Sequence, residues 1–433
     1  VSDLRFLKEL GAQFERIGET QASAPRSKHG RKRWIRVHRS AMAGVGLGLS
    51  VLVVVAVVAV GLGLRPRGRA GSPVPGGGVR IVFSATALDP RSPLGPSLER
   101  SVEILRQRLG SVFPGVQVSR ADNRLVVVVP KARSGDRARI VALAAPARLE
   151  FYDWEANALT PNGKTVASQL RTQDPTALQM SQGSGGTPGS PGAGGMNLYD
   201  AITLASKQAP EPSSHNARPG AAYYMFGAPG SEACKVAAED QGTIPTVGEH
   251  CYLSGPNANK QDLISGLPHG VNASEAETLV VPRGITVLQA VPASFADAPA
   301  ISSAAAEFFV VKDHVSLPAS DITNPQPSTD SAGNPNVKFG FTSKGKNRFQ
   351  SVTSAIAHRG DFVSRLGQTL NQHFAVALDN QLITVPSVDF KMYPDGIIGD
   401  NGADITGGFT VQSAQDLATI MRYGPLPVTL VVR

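Results

Sequence analysis

The sequence predicts an α+β protein carried on a single N-terminal transmembrane helix, with two ferredoxin-like βαββαβ-type units flanking a loop-rich insertion. Three observations predict it. Residues 41–64, AMAGVGLGLSVLVVVAVVAVGLGL, contain no charge. Strand and helix signals over residues 79–153 follow the order βαββαβ, and residues 305–433 repeat that order. Between them, residues 154–304 hold the tract SQGSGGTPGSPGAGG, which has no large apolar side chain with which to build a core.

The apolar run is long enough, at ~1.5 Å per residue, to span a ~30 Å hydrocarbon core. A cleaved signal peptide would begin nearer the start of the chain and end at a small-residue cleavage site, whereas this run is followed by Arg65, Arg67 and Arg69. Arg31, Lys32, Arg33, Arg36 and Arg39 precede it, which places residues 1–40 in the cytoplasm and the bulk of the chain outside it. Within residues 1–20, Leu4, Leu7, Leu10, Phe14 and Ile17 form an amphipathic stripe that suits a cytoplasmic partner, the bilayer surface or plain solvent. Gly44 and Gly48 lie four apart in the run, a spacing that permits close helix approach.

The formal net charge is +8, but residues 1–70 hold 13 Lys/Arg against 4 Asp/Glu, and residues 71–433 hold 29 against 30. The basic character thus belongs to the leader, and the count gives no support to a nucleic-acid surface. After the linker 65–78, VRIVF reads as a strand. SLERSVEILRQRLG places Leu98, Val102, Leu105 and Leu109 on one helical face. VQVSR and RLVVVVP pair around Asp122 and Asn123, GDRARIVALAA is a short helix, and ARLEFYDW is expected to close the unit. In the second unit VKFGF mirrors VRIVF, and KGKNRFQSVTSAIAH turns Phe349, Val352 and Ile356 to one side. FAVALD and QLITVPSV pair around Asp379 and Asn380, and SAQDLATIM leads into PLPVTLVVR.

Cys234 and Cys251 are the two cysteines of the chain. In an oxidising compartment they suit a disulfide, which would contribute about 3 kcal/mol by loop entropy; the alternative is two separate buried thiols. A catalytic constellation is not expected, and neither is a cofactor or metal site. Gly340-FTSK-Gly345-Lys346-Asn347 nearly matches a phosphate-binding loop, but Asn347 stands where the magnesium-binding hydroxyl is required. GxSxG and HExxH are absent, and the eight histidines show no ligand spacing.

The last hundred residues resemble the SecD family, accessory subunits of the bacterial Sec translocase. The resemblance lies in Val337 through Thr342, in Ala377, Leu378 and Asp379 with Asn380 in place of the family glycine, and in Thr384, Val385 and Pro386. It continues through Ile405, Thr406, Gly407, Phe409 and Thr410, then Ala414, Leu417 and Ala418, and ends in Met421, Arg422, Gly424, Leu426, Pro427 and Val428. Residues 79–153 fit the stretch after the family's first membrane helix. The motif residues carry structural tasks: Asp379-Asn380 suits a two-residue hairpin turn, Thr410 an N-cap, and Gly424 a helix end before Pro425 and Pro427. The resemblance implies a non-catalytic, single-pass protein that assists export by contacting Sec translocon components or unfolded preproteins. The sequence ends at Arg433, before the five further membrane helices of that family, so the expectation excludes proton-driven pulling. The alternative is an envelope sensor or scaffold that reuses the module and signals through residues 1–20.

Overall fold

The computed structural model describes residues 77–88, 92–172, 195–212, 220–241, 248–290, 307–364, 370–406 and 409–432. The amphipathic segment, the basic cluster Arg31 to Arg39, the apolar run 41–64, most of the Gly/Ser/Pro tract and Gly407 lie outside them. Among the described residues, no helix is long and apolar enough to cross a membrane.

The first unit contains β1 (Gly78–Ala87), α1 (Leu94–Gly110), β2 (Gln117–Ala121), β3 (Arg124–Pro130) and α2 (Asp136–Leu143). Leu98, Val102, Leu105 and Leu109 recur at the helical period and are buried against the alternate strand residues Ile81, Phe83, Leu125, Val127 and Val129. The sheet order is β17-β1-β3-β2, and every pairing is antiparallel. β17 (Val428–Val432) comes from the far end of the chain.

This corrects the expectation that residues 149–153 close the first unit. β4 (Leu149–Asp153) is buried at every position, so it requires a neighbour on each side and cover on both faces. It finds them as an inner strand of a larger sheet. β17 is only half-buried and suits a sheet with one open face.

The larger sheet runs β10-β4-β13-β14-β8-β9, with β15 paired to β13. Its strands are β8 (Ile285–Ala290), β9 (Glu307–Lys312), β10 (Leu317–Pro318), β13 (Gln372–Leu378), β14 (Gln381–Thr384) and β15 (Ser387–Val388). A three-stranded sheet, β11-β12-β16, comprises β11 (Ile322–Thr329), β12 (Pro335–Phe341) and β16 (Ala403–Ile405). The second βαββαβ order is therefore spread over three sheets, and two self-contained units do not form. α8 (Ser343–Ser364) follows β12, and α9 (Val411–Tyr423) precedes β17.

The insertion is more ordered than its composition predicts. α3 (Trp154–Asn157), α4 (Val166–Thr172) and α5 (Leu198–Ser206) lead into β5 (Ala222–Gly227), α6 (Glu232–Gln241), β6 (Cys251–Asn257), α7 (Lys260–Ser265) and β7 (Ala276–Val281). Strands β6-β5-β7 make a sheet of their own, with a small core of Met225, Ala233, Ala237, Leu253 and Leu263.

Candidate functional site

An apolar cleft of about 340 Å³, its open mouth included, lies between the β12–β16 sheet and strands β4, β13 and β14. Alternation along β12 turns Val337, Phe339 and Phe341 inward together. Phe339 lies edge-on to Phe341 at 5.4 Å, Phe341 stacks on Phe349 of α8 at 4.8 Å, and Phe349 meets Phe374 of β13 edge-on at 5.9 Å. Phe151 of β4 closes the row 6.3 Å from Phe339. Pro386 and Ile405 complete the walls. Asp404 lies on the strand that borders the cleft, but alternation turns its side chain, like that of Lys338 opposite it, to the exposed face; partial burial there holds its carboxyl above the ordinary carboxylate range while Lys338 pulls the other way. The lining is apolar apart from Thr384 and Asp404.

The family-motif residues occupy joints around this cleft. Asp379 and Asn380 have φ of 50° and 69° and form the β13–β14 turn. Their side chains do more than turn the chain. The Asp379 carboxylate accepts the N–H groups of Ala147 at 2.7 Å and Arg148 at 3.0 Å. The Asn380 amide donates to Thr286 Oγ1 at 3.2 Å and to the Val287 carbonyl at 3.1 Å. One turn thus pins the loop before β4 on one side and β8 on the other.

Pro386 accepts the Phe374 N–H at 3.1 Å, which holds the strand that carries one of the cleft rings. Phe409 is buried in the same core. Thr410 caps α9, with its hydroxyl accepting from Ser413 N at 3.2 Å and the Ser413 hydroxyl accepting from Thr410 N at 3.0 Å. Thr406 follows β16 and is half-buried. Gly424 ends α9 with φ 78°, and its carbonyl accepts from the Arg108 guanidinium. Arg108 is fully buried and also donates to the carbonyls of Leu143 at 3.1 Å and Ala145 at 2.7 Å. Burial draws its pKa down to about 10, against the opposing charge of Asp379. The Pro427 carbonyl accepts the Leu88 N–H at 3.0 Å, tying β17 beyond the end of β1.

Cys234 and Cys251 are joined as a disulfide with Cα atoms 5.6 Å apart, linking α6 to β6. The phosphate-loop-like segment is committed elsewhere: Lys346 pairs with Asp400 at 2.7 Å, and a Cβ on Gly345 would lie 2.3 Å from the Asp321 carbonyl oxygen. Two buried polar groups escaped sequence reasoning. The Tyr152 hydroxyl lies 3.0 Å from both Glu150 and Asp313, and burial, then those carboxylates, push its pKa up. Arg359 joins Asp153 and Glu155, and Glu155 receives His373 Nδ1 at 2.7 Å. Among the described residues, no group of three or more His, Cys, Asp or Glu is arranged to hold a metal ion. Phe151, Phe349 and Phe374 were legible only as core residues, because each comes from a different element.

Residues 296–428, which contain β12, β13 and the capped α9, match the model of the SecDF P1 head subdomain. Over this region the chain is similar to the SecD family. The protein translocase subunit SecD of Acetobacter pasteurianus is 37% identical over 123 residues, and that of Rickettsia prowazekii is 32% identical over 123 residues. Each match covers 28% of this chain and 20% of the relative, so the chain spans about a fifth of the length of these relatives. A solved structure of SecDF, described as a membrane component that enhances protein export, covers 82% of this chain and 97% of its own at 17% identity and a TM-score of 0.37.

Proposed function

We propose that this chain serves in bacterial protein export as a non-catalytic, membrane-anchored SecD-like component whose head receives apolar side chains of a polypeptide in transit. The observation that carries the reading is that the head-matching segment supplies most of the aromatic cleft, through Phe339, Phe341, Phe349 and Phe374. An extended, unfolded chain presents alternate side chains, and an open apolar cleft lined by aromatic rings suits contact with apolar ones. The apolar run 41–64 and the basic cluster before it support an anchor with the N-terminus in the cytoplasm and the head outside. Partners on this reading are the bilayer, translocon components and unfolded preproteins.

Site-specific photo-crosslinking in growing cells tests it. A photoreactive side chain at Ala403, a half-buried lining residue opposite Phe339, should give adducts with exported polypeptides that vanish when export is blocked, whereas one at Lys391, away from the cleft, should give few. Equal adducts from both positions, or adducts that persist under the block, would remove the cleft from the export task.

A further inference from the structure

Near-neutral charge over residues 71–433 conceals a division that the fold makes visible. Residues 78–148 hold twelve Lys/Arg against five Asp/Glu, and residues 149–433 hold 17 against 25. The basic part is the unit built on β1, β2 and β3, the first to follow the linker. The helices cover one face of its sheet, where Ile81, Phe83, Leu125 and Val127 are buried.

Among the described residues, the other face is left open. Register sets Val82 opposite Val126, Arg80 opposite Val128 and Ser84 opposite Arg124, with Val431 beside Ser84. Val82, Val126 and Val128 are half-buried and belong to none of the hydrophobic clusters of the described residues. Val431 is 53% exposed. Arg80 and Arg124 are exposed at the two ends of this valine band. β1, β2, β3 and β17 contain no acidic residue. The third arginine of these strands, Arg120, points to the helix side and pairs with Glu99 at 3.2 Å.

We propose that this open face rests on the anionic phospholipid surface of the membrane. A shallow apolar band rimmed by arginines matches a bilayer interface, where valines enter the headgroup boundary and guanidinium groups reach the phosphates. The tether agrees: residues 65–77 span at most about 45 Å between the apolar run and β1, and they carry Arg65, Arg67 and Arg69. The net acidic remainder is repelled by the same surface, which leaves the basic unit as the part that approaches it. The proposal rests on the membrane reading of residues 41–64.

The test uses the full chain reconstituted in vesicles of phosphatidylcholine, with or without phosphatidylglycerol, in which some acyl chains are brominated. Val128→Trp places a fluorophore on the open face, and the unsubstituted chain supplies the background from Trp34 and Trp154. Ser119→Trp, at an exposed position of the same face, is a second probe should the first perturb the sheet. Extra quenching by brominated lipid in phosphatidylglycerol vesicles, lost at high salt and in Arg80→Glu/Arg124→Glu, is expected. Three results would overturn the proposal: no extra quenching in either lipid, equal quenching in both with no response to the charge reversal, or shielding from an aqueous quencher without lipid quenching, which would put a second copy of the chain there. Flotation after a carbonate wash reads the anchor separately, since a chain that stays with the vesicles yet shows no lipid quenching refutes the docking alone.

Discussion

Arg139 and Asp416, 277 positions apart, form a forked ion pair: Nη2 lies 2.7 Å from Oδ1, and Nε lies 3.1 Å from both carboxylate oxygens. The pair joins α2 of the first unit to α9, the helix that delivers β17 to β1. Asp416 is nearly buried and Arg139 about a quarter exposed. Loss of one partner leaves the other charge short of hydrogen bonds in a poorly solvated place, at a cost of about 2–3 kcal/mol. Asp416→Ala should lower the denaturation midpoint accordingly, and Arg139→Ala combined with it should cost less than the two single losses added. Strict additivity in that cycle would show that the pair does not couple the two helices.

The Asp379-Asn380 turn offers a separation of turn chemistry from side-chain bonding. Asn380→Gly keeps the left-handed backbone but removes the amide that reaches Thr286 and Val287, so we expect a loss of about 1 kcal/mol. Asp379→Ala removes an ionised acceptor from two N–H groups and should cost about 2–3 kcal/mol. Hydrogen exchange should then rise at Ala147 and Arg148 in the second variant and not in the first. The same protection in both variants would reduce Asp379 to a turn residue.

Reduction of Cys234–Cys251 should loosen the insertion lobe selectively. Among the described residues its core cluster holds five buried residues, three of them alanine or methionine, so a crosslink contributing about 2–4 kcal/mol is a large share of its local stability. Limited proteolysis under reducing conditions should cut between residues 228 and 275 while the β13–β14 region stays intact. Cleavage at equal rates with and without reductant would count against this.

The Asp404 carboxyl predicts a pH slope. Burial raises the pKa of Asp404 in the folded state above its unfolded value. A group shifted in this direction binds its proton more tightly when folded, so its contribution is fully present below the unfolded pKa and is lost as pH rises through the folded one. Asp404→Asn removes that loss. Compared across a series of denaturation midpoints from acid to neutral pH, the variant should gain on the wild type as pH rises; parallel curves would mean that Lys338 fully offsets the burial.

Legibility followed range along the chain. The left-handed turn at Asp379-Asn380, the Thr410 cap and the Gly424 helix end are each set by atoms within a few residues, and the sequence carries that chemistry openly. The apolar spacing of α1 and the alternation of β3 were equally local. The exchange of closing strands was not legible by order, because neighbouring segments usually pair and here they do not. LEFYD nevertheless held a hint: it lacks the polar alternation of a strand with one wet face. The cleft was hidden for another reason. Phe151, Phe349 and Phe374 lie on three elements of different periodicity, and each reads alone as an ordinary core position.

The sequence by itself determined the element types, the hairpin and cap chemistry, the apolar run with its flanking charges, and the family motifs of the last hundred residues. Only the tertiary structure decided that β17 pairs with β1, that β4 pairs with β13, that the aromatic rings converge on one cleft, and that the basic residues after the linker share a unit with an open sheet face. The physical reason is that local dihedral and capping preferences act over a few residues. Strand partners, by contrast, are selected by the burial each edge and face obtains in the finished fold, a quantity set by the whole chain at once.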